Sequence, residues 1–159
     1  MTDLISYREM QQGEEQAVCD LVKGVFDEYV APDYGQDGID EFFRFANVSA
    51  MRERMKSGGL VLVAQRGDEL LGVIEFSPPN IIAMLFVTVR RKGVATALLK
   101  HAVEKIKTEN PELKQLIVHS SPYALPIYEK MGFKVTGKKI TENGIIYIPM
   151  KLSLTDTNT

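Results

Sequence analysis

Apolar positions along the chain switch between two periods, and the switches mark the elements. Leu4–Met10 reads as a short first strand. From Glu14 to Val30, the residues Ala17, Val18, Leu21, Val22, Val25 and Phe26 recur at helical spacing, predicting an amphipathic helix. Ala31-Pro32-Asp33-Tyr34-Gly35 ends it, because the residue before a proline is pushed out of the helical region. A second helical region falls within Ile39–Lys56 and stops at Ser57-Gly58-Gly59. Leu60–Gln65 and Leu70–Phe76 are extended runs joined by Arg66-Gly67-Asp68-Glu69, a hairpin connection with glycine in the turn. After Ser77-Pro78-Pro79-Asn80, Ile81–Val87 is apolar at every position, as a strand covered on both faces would be. Val94, Leu98, Ala102 and Ile106 then recur every fourth residue, predicting a helix over Val94–Lys107. Leu116–Val118 is a buried strand, and a short helix ends at Met131-Gly132-Phe133. The last hairpin pairs Lys134–Ile140 with Ile145–Leu152 across Asn143-Gly144. The order β-α-α-β-β-β-α-β-α-β-β is mixed α/β, with parallel strands wherever a helix crosses between two of them.

Composition narrows the class. With 159 residues, 45% hydrophobic and 25% charged, the chain has the make-up of an ordinary soluble domain. Residues 1–153 are expected to form a single domain and 154–159 a disordered tail, polar and without periodicity. One cysteine forbids an intrachain disulfide, and with only His101 and His119 besides it no His/Cys metal cage is expected. No apolar run approaches the ~20 residues of a membrane span, and Met1-Thr2-Asp3 is not a basic signal-peptide start. The expectation is a soluble protein of a reducing compartment, the cytoplasm.

The formal net charge of -2 hides a division. Residues 1–50 carry 11 acidic side chains against three basic ones, leaving -8, and the rest of the chain carries +6. The basic half is densest at Arg90-Arg91-Lys92, in the turn that follows the strand end Leu85-Phe86-Val87 and Thr88-Val89 and precedes Gly93 and the helix start Val94-Ala95-Thr96. A helix N-terminus leaves about four N–H groups unpaired and carries roughly half a positive charge, so it receives phosphate. Gly93 and Ala95 allow close backbone approach, and the site suits a pyrophosphate. Neither a P-loop nor a dinucleotide fingerprint is present. Taken alone, the segment reads better as a strand–helix turn with a solvated basic cluster.

It has a companion. Arg90-Arg91-Lys92-Gly93-Val94-Ala95 resembles the (Arg/Gln)-x-x-Gly-x-(Gly/Ala) signature of the GNAT N-acetyltransferase superfamily. Downstream, the stretch from Ser121 to Phe133, with Ala124, Tyr128 and Gly132-Phe133, resembles that superfamily's Ala-x-x-x-Tyr-x-x-x-Gly-Phe segment. The signatures stand in the family's order, separated by a helix and a strand. The resemblance implies a GNAT fold: a mixed sheet of about six to seven strands, splayed in the middle and flanked by about four helices. It also implies acetyl-CoA as cosubstrate and direct acetyl transfer to an amine in a ternary complex.

By that resemblance, backbone N–H groups from Val89, Arg90, Arg91 and Lys92 through Gly93, Val94, Ala95 and Thr96 hold the CoA pyrophosphate. Leu85, Phe86 and Val87 pair with the pantetheine arm and polarise the thioester, and the strand ending in His119 splays away to admit it. Tyr128 protonates the departing thiolate. The family commonly has Val-x-Pro-x-x-Arg here, whereas Val87 reaches Arg90 in three steps without the proline. Either the turn is two residues shorter or Leu85 takes the role of Val87; a slip of two keeps the same strand face. Ser121 stands where the family often has Asn, and its hydroxyl can still cap or hydrogen-bond.

A phenol, with a pKa of ~10, can donate to a developing thiolate at neutral pH. An amine with a pKa of ~10.4 must lose a proton before it attacks. Glu75, between Ile74 and Phe76, and His119 are the candidate bases. The alternatives are an edge-strand carboxylate facing water and a hydrogen-bonded structural histidine. His101 reads as a surface residue and Cys19 as a small core residue.

In this family the first two helices and their connection wall the acceptor site. Here that segment holds Asp33, Tyr34, Asp37, Asp40, Glu41, Phe42 and Phe43, with Tyr34, Asp37 and Glu41 as the chosen substrate contacts. Carboxylates interleaved with aromatics suit a cationic acceptor: a polyamine, a Lys-like side chain of a peptide, or an amino-sugar amine. A non-catalytic acyl-CoA sensor with the same fold is the alternative, and a plain nucleotide-binding domain another. Nucleic acid is not an expected partner, because no aromatics interleave with the basic turn. The apolar strand Ile145–Leu152 offers an edge for a homodimer.

Overall fold

The computed structural model describes residues 4–88 and 93–154. Eight strands form one mixed sheet: β1 (Ile5–Glu9), β2 (Leu60–Arg66), β3 (Glu69–Ser77), β4 (Ile81–Val87), β5 (Gln115–Ser120), β6 (Lys134–Val135), β7 (Ile140–Glu142) and β8 (Ile145–Ser153). The spatial order is β1-β2-β3-β4-β5-β8-β6, with β7 on β8. All pairs are antiparallel except β4 with β5. Five α-helices accompany them: α1 (Glu15–Val25), α2 (Gln36–Phe45), α3 (Val48–Lys56), α4 (Val94–Glu109) and α5 (Leu125–Lys130). This is the mixed α/β fold expected, with one more strand and one more helix than the sequence counted.

Local chemistry explains both extras. The region expected as one helix breaks at Asn47, whose side chain accepts the Ala50 N–H at 2.9 Å and so caps α3. The segment expected as one strand, Lys134–Ile140, is interrupted. Lys134 and Val135 pair with Lys151 and Met150, and β7 then pairs Ile140 with Tyr147 and Glu142 with Ile145. Asn143 and Gly144 turn the hairpin with φ of 53° and 82°, which is why Asn-Gly stands there. The helix expected to reach Val30 ends earlier, at Val25. It continues as a wider turn over Phe26–Val30 and a tight one over Ala31–Asp33, where Pro32 sits. Thr155 to Thr159 of the expected tail lie outside the described residues, and Leu154 is tied down by its N–H to the Lys114 carbonyl at 2.8 Å.

Two cores sandwich the sheet. On one face Leu71, Ile74, Leu98, Leu116, Tyr128 and Met150 join β3, α4, β5, α5 and β8. On the other, Val18, Val22, Met51, Val63 and Val73 seat α1 and α3 on β2 and β3. Period-2 alternation along β3 sends Ile74 to the first core and Val73 with Glu75 towards the second. Truncating a side chain as buried as Leu98 to alanine costs about 2–5 kcal/mol. Between the cores the sheet opens.

Candidate active site

The opening lies between β4 and β5. These parallel strands pair only at Ile81 with Ile117 and at Ile82 with Val118. Beyond that, β4 stays on β3, through Met84–Glu75, Leu85–Ile74, Phe86–Val73 and Val87–Gly72. β5 stays on β8 through His119–Pro149 and Ser120–Ile148. The register of β4 shifts at Ala83, a bulge that turns the strand just where the split begins. The β5-facing edge of β4 over residues 83–87 therefore has no strand partner. Such an edge holds unpaired backbone donors and acceptors, and an extended ligand can fill it as an added strand would.

A cleft of about 540 Å³ occupies the split, within the usual size of a small-molecule site. Leu85, Phe86 and Val87 line it from β4, Ala95 from the first turn of α4, and Ser121 and Tyr128 from the β5–α5 side. Gly93 precedes α4 in the left-handed conformation, φ 70°, and its carbonyl accepts the Ala97 N–H at 2.9 Å. Thr96 is exposed on the same helical turn, and Val94 points the other way, into the core. Val89, Arg90, Arg91 and Lys92 lie outside the described residues. Of the expected cofactor residues, the structure thus brings Leu85, Phe86, Val87, Ala95 and Ser121 to one cleft, with Gly93 and Thr96 at the α4 start. The Ser121 hydroxyl is spent locally, accepting the Ala124 N–H at 3.1 Å at the start of α5.

Tyr128 sits in α5 with 5% of its surface exposed, edge-on to Phe133 at 5.3 Å. Burial pushes its phenol above the usual tyrosine range, so it remains protonated throughout the neutral range. A proton donor is thereby held at the cleft wall.

The two expected bases part company. His119 lines the cleft from the end of β5, its ring stacked on Tyr147 at 4.3 Å. Glu75 does not line it. Its carboxylate, with no exposed surface, is gripped by Arg54, Nε to Oε2 at 2.6 Å and Nη2 to Oε1 at 3.1 Å. Glu75 is neither on an edge strand nor facing water.

The acidic segment also divides. Tyr34 and Glu41 line the cleft; Asp37 does not, and its Oδ1 accepts the Gly38 N–H at 2.9 Å. Tyr34 donates its hydroxyl to the Ile146 carbonyl at 3.1 Å, tying the helical cap to β8, and burial pushes its phenol up. Phe42 faces the cleft, while Phe43 packs in the second core beneath Lys23. Four lining residues, Glu142, Asn143, Ile145 and Tyr147, come from the last hairpin. Sequence reasoning missed them because Asn143-Gly144 reads only as a turn. The close approach of Gly38 to Gly144, where a Cβ on either glycine would strike the other's backbone, folds that turn onto α2 and over the cleft.

Residues 30–154 match the family model described as an acetyltransferase (GNAT) domain. The chain belongs to the GNAT acetyltransferase family. A UPF0039 protein of Schizosaccharomyces pombe is 34% identical over 65 residues, 41% of this chain and 43% of that protein, so the match spans less than half of this curated relative. Among solved structures, a GCN5-related N-acetyltransferase of Rhodopseudomonas palustris overlays with a TM-score of 0.79 at 19% identity, covering 97% of this chain and 99% of that one. The PaiA N-acetyltransferase of Thermoplasma acidophilum, in complex with coenzyme A, overlays at 0.78 with 18% identity over 94% and 99%. The aminoglycoside 6'-N-acetyltransferase of Enterococcus faecium gives 0.69 at 16% identity over 98% and 99%. These likenesses show the GNAT fold. Among the described residues, no helix of this GNAT protein is long and apolar enough to cross a membrane.

Proposed function

We propose that this GNAT protein transfers the acetyl group of acetyl-CoA to an amine by direct attack in a ternary complex. The observation that carries the reading is the unpaired edge of β4 over residues 83–87, which leads from the N-terminus of α4 to the wall holding Tyr128. The fit to CoA is favourable in each part. The helix start at Gly93–Thr96 suits a pyrophosphate, the strand edge suits the amide-bearing pantetheine arm, and Leu85, Val87 and Ala95 suit its methylenes. The CoA-bound state of the Thermoplasma acidophilum relative supports the same cosubstrate.

In this reading the amine nitrogen bonds to the thioester carbon, the C–S bond breaks, and the Tyr128 phenol gives its proton to the leaving thiolate. The amine's surplus proton goes to His119, directly or through one water. We favour His119 over Glu75 as base because the imidazole borders the cleft and the carboxylate is committed to Arg54. The test is to incubate the full chain with acetyl-CoA and a panel of amines, following thiol release and product mass. Acetylated amine with equimolar free CoA supports transfer; tight CoA binding without acetylated product makes the chain an acyl-CoA-binding module instead.

A further inference from the structure

The acceptor end of the cleft carries more information than its family does. Its helical wall is aromatic: Phe26 and Phe42 lie parallel with ring centres 4.0 Å apart, and Tyr34 meets Phe26 edge-on at 5.7 Å. Phe42 in turn contacts Phe86 of β4 at 5.9 Å. The opposite wall is the last hairpin, where Tyr147 stacks on His119. Among the described residues, two carboxylates line the cleft, Glu41 and Glu142. Glu41 is already neutralised, its Oε1 taking Arg44 Nη2 at 2.8 Å and Nε at 3.1 Å. Glu142 accepts the Tyr147 hydroxyl at 3.1 Å, and among the described residues no ion pair engages it.

We infer that this end of the cleft is a slot for a primary monoamine borne on an aromatic or branched apolar body, with Glu142 as the ammonium's counter-charge. The inference rests on the acetyl-transfer reading above and names its acceptor class. One uncompensated carboxylate beside electron-rich ring faces satisfies one cation. Each further ammonium of a polyamine or aminoglycoside would be stripped of water against phenylalanine rings with no partner, which is costly. An apolar body instead gains by burial at roughly 25 cal/mol per Å². Tyr147 is a positioning residue here, its O–H holding the Glu142 carboxylate towards the cleft. Desolvation, then the Glu142 hydrogen bond, pushes its phenol up, so that donor stays in place at neutral pH.

Calorimetric titration of the CoA-loaded full chain with phenylethylamine, spermidine and kanamycin tests the slot. Phenylethylamine should bind at least ~10-fold more tightly than either polycation, and Glu142→Gln should weaken it by ~10-fold or more, the worth of one charge-assisted hydrogen bond. Glu112→Gln, at an exposed position outside the cleft lining, should leave it unchanged. Glu142 is solvent-exposed, so its substitution does not endanger folding. Equal or tighter binding of spermidine or kanamycin overturns the inference, as does an unaltered phenylethylamine affinity in Glu142→Gln. With acetyl-CoA supplied, turnover separates the two readings. The predicted binding order without any acetylated phenylethylamine supports the slot and refutes the transfer reading; acetylation that prefers spermidine supports transfer and refutes the slot.

Discussion

Arg54 clasps Glu75 through two hydrogen bonds, 2.6 and 3.1 Å, in the interior of the protein. The same guanidinium donates to the Phe45 carbonyl at 2.6 Å and lies 3.6 Å from the Phe45 ring centre. Phe45 lines the cleft, so an ion pair between α3 and β3 sets the position of one cleft wall at the end of α2.

Removing one partner of such a pair strands the other. Glu75→Ala should lower unfolding stability by about 3–5 kcal/mol, measured by denaturant titration. Its pH–rate profile should keep the wild-type shape after correction for the folded fraction. Loss of the acid-side limb would instead make Glu75 the base.

The limb itself should belong to His119. His119→Asn keeps a polar side chain at the end of β5 yet cannot take up a proton. We expect kcat/KM to fall by ~10²-fold or more at neutral pH, with the acid-side inflection gone. An inflection that survives assigns proton removal elsewhere.

Tyr128→Phe should lower kcat by about 10²–10⁴-fold at saturating acetyl-CoA, the usual worth of a positioned acid. Because burial raises the phenol's pKa, the wild-type enzyme should show no loss of kcat from tyrosine ionisation up to the ordinary phenol value of ~10. A single-turnover pH series with both proteins checks this, and an unchanged kcat in the variant would remove Tyr128 from the chemistry.

Acid stability has its own reporter. Arg8 hydrogen-bonds Glu14 at 2.9 and 2.8 Å and holds its carboxyl down at about 2, from an ordinary value near 4.5. A lowered pKa stabilises the fold above the unfolded value, and that contribution is lost as pH falls through the folded one. With both side chains about a quarter exposed, we expect Glu14→Gln to cost about 1 kcal/mol at neutral pH. The gap should shrink below about pH 4.5 and vanish near pH 2, followed by thermal unfolding across pH.

Gly72 marks how tightly the split sheet is built. A Cβ there would meet Val87 Cγ1 at 2.8 Å, Leu98 Cδ1 at 3.1 Å and the Phe86 carbonyl at 3.2 Å. Gly72→Ala should cost about 1–3 kcal/mol. By displacing the unpaired edge of β4, it should also raise KM for acetyl-CoA, which steady-state kinetics would read.

Most elements were legible in the sequence because each is written in nearest-neighbour chemistry. Ile81–Val87 kept its sequence-read bounds, and Gly93 and Gly58 fell where left-handed conformations were needed. Errors arose where one polar side chain overruled periodicity, as Asn47 did by capping α3 inside an apparently continuous helical run. Ile81–Val87 reads as covered on both faces, yet Leu85, Phe86 and Val87 are only half-buried, because part of what covers the strand is a cleft.

Sequence alone determined the family signatures, the mixed α/β order and the candidate acid, since motif and period are properties of residues close together in the chain. Which charges serve the cleft was a tertiary matter. Asp37 and Glu75 carried the right chemistry in the wrong places, the one on its neighbour's N–H and the other inside an ion pair. Glu142, unremarked in a hairpin, reaches the cleft because Gly38 lets the turn at Gly144 close against α2. The net -2 of the chain says nothing of this. Coulomb interactions and desolvation depend on distance and burial, and those exist only once residues 100 or so positions apart are folded together.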